Sequence, residues 1–151
     1  MDQNGIAGNN QAGTSTFQKV GRVLLGLNLA FAGTSHLTWA RTEFLAQVPP
    51  WLPLDGDLVV VLSGIVEITL GLALVFWFSQ RFLVGWVVAA FFVAIFPGNI
   101  AQLVHHRDAF GLNSDLARTV RLFFQPVLVI WALWATGAWQ TWRARKRTSW
   151  K

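Results

Sequence analysis

The sequence predicts an all-α fold, a four-helix bundle set in a membrane, and three observations carry that prediction. Hydrophobic residues fill 54% of the 151 positions and charged residues only 13%, where a soluble domain holds about 25% charged residues to cover its surface. Four apolar runs, over 20–40, 58–78, 82–103 and 120–139, each approach the roughly 20 residues with which an α-helix crosses about 30 Å of hydrocarbon. None of the runs alternates with a period of two. Helices, which satisfy their own backbone groups, are then the expected way to span, rather than a barrel.

Residues 1–16, "MDQNGIAGNNQAGTST", are rich in Gly, Asn, Gln and Thr and are expected to form a disordered polar tail, because they cannot bury apolar surface. A helical domain over 17–140 follows, with helices at about 18–40, 57–78, 81–104 and 118–140. Lys19, Arg22 and the "AFA" at Ala30 to Ala32 imitate the parts of a signal peptide. The long polar prefix and the continuation of the apolar run past "AFA" favour a retained helix instead. The first connection, "QVPPWLPLDGD", holds Pro49, Pro50 and Pro53, which fix the backbone and lack amide donors, so a stiff, non-helical cap is expected over one mouth of the bundle. "WFSQRF" is short enough to force an antiparallel hairpin between the second and third helices. A longer polar connection, "HHRDAFGLNSDLAR", leads to the fourth. Residues 141–151 form a basic tail carrying Arg143, Arg145, Lys146, Arg147 and Lys151. Together with Lys19 and Arg22 this tail predicts an up-down-up-down bundle with both termini cytoplasmic. The same distribution reads the net charge of +5 as a membrane-edge anchor rather than a nucleic-acid surface. The chain has no cysteine, which excludes disulfides, thiolate metal sites and thiol relays within it.

The central question is why a carboxylate, Glu67, sits inside "LSGIVEITLGL", where an isolated charge is costly. At about 1.5 Å of rise per residue, the alternating topology brings His36, Glu67, Asn99 and Gln125 to similar depth in the outer half, with Arg121 at the outer mouth. These five residues are the candidate ligand-binding or proton-handling site. Asn99 and Gln125 serve equally well as interhelical hydrogen-bonding glue, and Arg121 as a snorkelling cation. Pro97 and Pro126 each remove a helix hydrogen bond and free a carbonyl one turn earlier. No catalytic triad or phosphate loop is present, and His105 and His106 are too isolated to form a metal site.

"AGTSHL", "VPPWLP", "LSGIVEITLGLAL", "FPGNIAQLV" and "RLFFQPVLVIWALWAT" resemble the DoxX-like family of small four-helix bacterial membrane proteins, in particular its MauE/DoxX redox-associated relatives. The resemblance covers about 31–136. It implies a multi-pass protein of the bacterial plasma (inner) membrane, and a redox setting in which relatives serve thiosulfate:quinone oxidoreductase or partner soluble sulfurtransferase and superoxide dismutase enzymes. The expected function is that of a non-catalytic accessory subunit of a membrane redox system, with a pocket for a quinone-like or lipidic ligand. A quinone is the one cofactor this expectation names. The expected partners are the lipid bilayer and a soluble or membrane redox enzyme; a homo-oligomer stays open. The alternatives are a structural anchor that assembles a soluble partner, and a small proton-coupled transporter.

Overall fold

The computed structural model describes residues 13–148. All its regular structure is helical: α1 (Thr16–Leu37), α2 (Arg41–Leu45), α3 (Gly56–Phe76), α4 (Arg81–Val104), α5 (Asp115–Thr136) and α6 (Ala138–Thr148). The expected polar tail over 1–16 lies mostly outside the described residues. Of the rest, 13–15 lead into α1 with Ser15 as N-cap, and Thr16 is already helical: Ser15 Oγ accepts from the Gln18 amide, and Gln18 Oε1 accepts from the Ser15 amide, a reciprocal capping box.

α3, α4 and α5 are long and apolar enough to cross a membrane. α1 is as long, but Arg22, Asn28 and His36 dilute its apolar run, which sets it apart from the four equal spans the sequence predicts. Those residues are accommodated in different ways. Arg22 and His36 are buried, while Asn28 donates to Leu24 O of its own helix at 2.9 Å.

Two glycine pairs lock α1 against α3. A Cβ on Gly26 would lie 2.7 Å from Gly71 O, and one on Gly33 would lie 2.5 Å from Gly64 O. Only a missing side chain permits such approach. Because 26 faces 71 and 33 faces 64, the two helices run antiparallel. α4 and α5 pair the same way, Gly85 against Thr136 and Phe92 against Gln125. α1 also meets α5, where Trp131 Nε1 donates to Gly21 O at 3.1 Å.

A short apolar core of Leu25, Leu29, Leu74, Val84, Val88, Ala89, Phe92 and Ala132 fills the centre. The outside carries the larger apolar side chains, such as Phe31, Phe76, Phe123 and Ile130, each at least 66% exposed. Polar residues inside and bulky apolar residues outside suit a lipid environment and would be a severe liability in water.

Gly137 ends α5 in the left-handed conformation (φ 72°), which glycine adopts without strain. The chain bends there. The expected continuous helix to 140 is therefore two helices, and α6 takes Arg143, Arg145, Lys146 and Arg147 into helical structure where the sequence predicts only a tail.

Candidate functional site

A cavity of about 520 Å³ lies between the long helices at the end where α1 closes and α3 opens. His36, Glu67, Asn99, Arg121 and Gln125 all line it. Its walls are otherwise mostly apolar, with Leu29, Phe92, Leu128 and Trp131 on the inner side. Among the described residues Glu67 is its one carboxylate and Arg121 its one guanidinium.

The five residues fall into two groups. On the α1–α3 side, His36 stands in the last turn of α1 and Glu67 about three turns into α3. The close approach of Gly33 to Gly64 brings them together, with His36 Nδ1 3.2 Å from Glu67 Oε2. Their exposures are only 4% and 6%. That oxygen nevertheless completes no hydrogen bond, and His36 Nε2 also lacks a partner. The 3.2 Å approach is thus electrostatic contact without an aligned N–H, and this side of the cavity keeps unfilled polar valences. Ser63, one turn before Glu67 on the same face, places Oγ 3.4 Å from Nδ1 while donating to Val60 O at 2.9 Å.

On the α4–α5 side the polar groups satisfy one another. Asn99 Nδ2 donates to Gln125 Oε1 at 2.9 Å, Gln125 Nε2 to Phe92 O at 2.6 Å, and Arg121 Nε to Asn99 Oδ1 at 3.2 Å. Arg121 also lies over the Phe110 ring, 5.2 Å from its centroid. Pro97, within α4, lacks the amide that would continue the helix ladder, and it lines the cavity beside this network.

The mouth is covered by the segment between α1 and α3. Gln47, Val48, Pro49, Trp51 and Leu52 line the cavity from above, with no helix over 46–55, in keeping with the prolines. α2, which the sequence reading missed, presents Phe44 edge-on to the His36 ring and to Phe110. Arg107 Nη1 donates to Ala46 O and Val48 O, at 3.3 and 3.0 Å, and Glu43 accepts from the Phe110 amide. Arg41 pairs with Asp57 across the base of the segment, and that carboxylate holds the Arg41 guanidinium pKa above its usual value.

Several contributors were not singled out from sequence. Ser63 carried a signal, since four residues before Glu67 is one helix turn. Arg118, only 5% exposed, donates to Asp115 Oδ1 at 2.6 Å and pairs with Asp108; its i,i+3 spacing from Asp115 was the available clue. His106 pairs with the same carboxylate at 2.8 Å. The opposite end of the bundle holds buried polar groups as well. Gln18, Arg22 and Thr136 are buried there, with Gln18 Nε2 donating to Trp134 O at 2.7 Å.

Residues 25–136 match a family described as a domain of unknown function (DUF8561). No curated protein and no solved structure matches the chain.

Proposed function

We propose that this chain, which belongs to the DUF8561 family, is an integral membrane protein that binds a small apolar molecule with a polar head in the cavity between its helices. The observation that carries the proposal is the pair of buried, unpartnered atoms, His36 Nε2 and Glu67 Oε2, in a largely apolar cavity of about 520 Å³. Buried polar groups are normally satisfied, and a site for an amphiphilic ligand combines apolar walls with a few unfilled polar groups.

The pair also suits a ligand that exchanges a hydroxyl for a carbonyl. With Glu67 ionised and neutral His36 carrying its hydrogen on Nδ1, Nε2 is a bare acceptor for a hydroxyl. If the pair takes up one proton, on either partner, Nε2 carries hydrogen and becomes a donor for a carbonyl. A quinol and its quinone present these two groups. The DoxX-like resemblance of the sequence supplies the redox setting: an accessory subunit that holds such a ligand beside a soluble or membrane redox enzyme.

In this reading the four long helices all cross the bilayer, up-down-up-down, in a bacterial plasma membrane with both termini cytoplasmic. The antiparallel pairs and the outward apolar belt support the crossing. Lys19, Arg22, Arg81, Arg143, Arg145, Lys146 and Arg147 gather at one end, against Arg41, Arg107, Arg118 and Arg121 at the other, and this excess of basic residues supports the orientation.

The self-satisfied Asn99–Gln125–Arg121 network favours a second role for its half of the site, interhelical locking. Native mass spectrometry of protein extracted in mild detergent separates the readings. Wild type is expected to carry a discrete lipidic mass that Glu67→Gln loses, with the helical circular dichroism spectrum of the variant unchanged. Equal ligand content in both, or no ligand in either after incubation with a short-chain ubiquinone, would overturn the ligand-binding reading in favour of assembly.

A further inference from the structure

A second groove lies at the other end of the bundle, about 20 Å from His36 along α1 by helical rise. Arg22, in the second turn of α1, is 3% exposed, and its Nη1 is buried without a hydrogen-bond partner. Its guanidinium lies over the Phe78 ring, 4.4 Å from the centroid. Lys19 and Arg81 line the same groove, of about 580 Å³, together with Val20, Leu24 and Phe78. No carboxylate lines it among the described residues. Three cations therefore line one groove, and one of them, Arg22, is buried with a donor unused.

The apolar side of the groove continues onto the outer surface, since Val20, Leu24 and Phe78 are 52%, 49% and 57% exposed. α4 opens at Arg81 itself, with no side-chain cap at its N-terminus, so the positive end of the helix dipole adds to the same corner. A buried guanidinium presents paired N–H groups in the geometry that phosphate oxygens accept.

We infer that the Lys19–Arg22–Arg81 groove binds the phosphate of an anionic phospholipid, its headgroup on Arg22 and its acyl chain along Val20, Leu24 and Phe78. The site is separate from the cavity around His36 and Glu67 and rests only on the chain lying in a bilayer. A bound phosphodiester completes the donor set of Arg22. It also fixes the depth of α1, the long helix with the least continuous apolar run, at the headgroup level.

The test uses the full chain in vesicles of equal parts phosphatidylglycerol and phosphatidylcholine, extracted in mild detergent and read by native mass spectrometry. Wild type is expected to retain phosphatidylglycerol with a preference of about tenfold. Arg22→Gln abolishes the preference, Arg22→Lys lowers it, and Arg143→Gln with Lys146→Gln in α6 leaves it in place. Ligand mass in the His36–Glu67 cavity is unchanged in Arg22→Gln, so failure of one site is distinguishable from failure of the other. Should Arg22→Gln not fold by circular dichroism and gel filtration, Arg22→Lys and Arg81→Gln carry the test. Preference unchanged in both, or lost with the α6 variant, overturns the inference. Displacement of the lipid by inorganic phosphate that is itself retained would assign the groove to free phosphate and overturn it as well.

Discussion

The two sides of the cavity are built from similar residues at similar depth, yet they end in opposite states. Asn99, Gln125 and Arg121 close a hydrogen-bonded chain between α4 and α5 that ends on the Phe92 carbonyl. His36 and Glu67, held together by the glycine crossing of α1 and α3, leave Nε2 and Oε2 without partners. The difference lies in chemistry as much as geometry. Amides carry both donors and acceptors and can satisfy one another in pairs, whereas this imidazole and carboxylate meet without an aligned N–H and leave Nε2 and Oε2 open. An interior that needed only locking would be served by the first arrangement alone.

The largest expected effect comes from dismantling one side and leaving the other. Gly33→Leu places a side chain against Gly64 O, Glu67 and Ile68, which forces α1 from α3 at a cost of about 3 kcal/mol. Unfolding in mixed micelles, followed by tryptophan fluorescence, should show that loss. Cysteine pairs introduced across α4 and α5 should still cross-link at the wild-type rate. Loss of both pairings together would mean that the two sides are one cooperative unit.

Next comes Gln125→Leu, which removes two hydrogen bonds and leaves the Asn99 amide without its acceptor. About 2 kcal/mol of stability should disappear in the same unfolding measurement. Glu67→Gln should behave in the opposite way. The change keeps the side chain's shape and removes an oxygen that makes no hydrogen bond, so stability should change by less than about 1 kcal/mol. Ligand retention should instead fall by at least about tenfold. Comparable stability losses in the two variants would erase the contrast and make the cavity a structural core.

Much of this arrangement was legible in the chain. Five polar residues placed by helical rise do line one cavity, because in a bundle of straight antiparallel helices depth follows residue count. The segment containing Pro49, Pro50 and Pro53 does lie over the mouth, because proline excludes helix there. What stayed hidden depends on rotation about the helix axis and on backbone approach. Shared depth made His36 and Glu67 a candidate pair, but residue count could not decide between that pair and others, since the choice follows from which helices touch at Gly33 and Gly64. Nor could it show Arg22 turning inward. A basic residue at a helix end reads as a snorkelling cation until its neighbours are placed. The bend at Gly137 was readable, as glycine after a long apolar run is a common helix stop; the apolar Ala138 and Trp139 beyond it obscured the stop.

The smallest effect belongs to Ser63, and it bears most directly on how the open pair works. Its hydroxyl donates to Val60 O, leaving its lone pairs as an alternative acceptor for hydrogen on His36 Nδ1, 3.4 Å away, beside Glu67 Oε2 at 3.2 Å. Ser63→Ala removes that alternative and leaves Glu67 as the sole neighbour of Nδ1 among these two. The cost in stability should be about 0.5 kcal/mol, the scale of one weak interhelical contact. The change should appear instead in the imidazole nitrogen shifts of His36 in 15N-labelled protein, assigned with a His36→Gln control, while those of His105 and His106 stay fixed. A moved Nδ1 resonance with ligand retention intact would show that the hydroxyl tunes the pair without holding the fold. If the nitrogen shifts do not move and stability falls as far as in Gln125→Leu, Ser63 is a helix lock and the α1–α3 side is as closed as its counterpart.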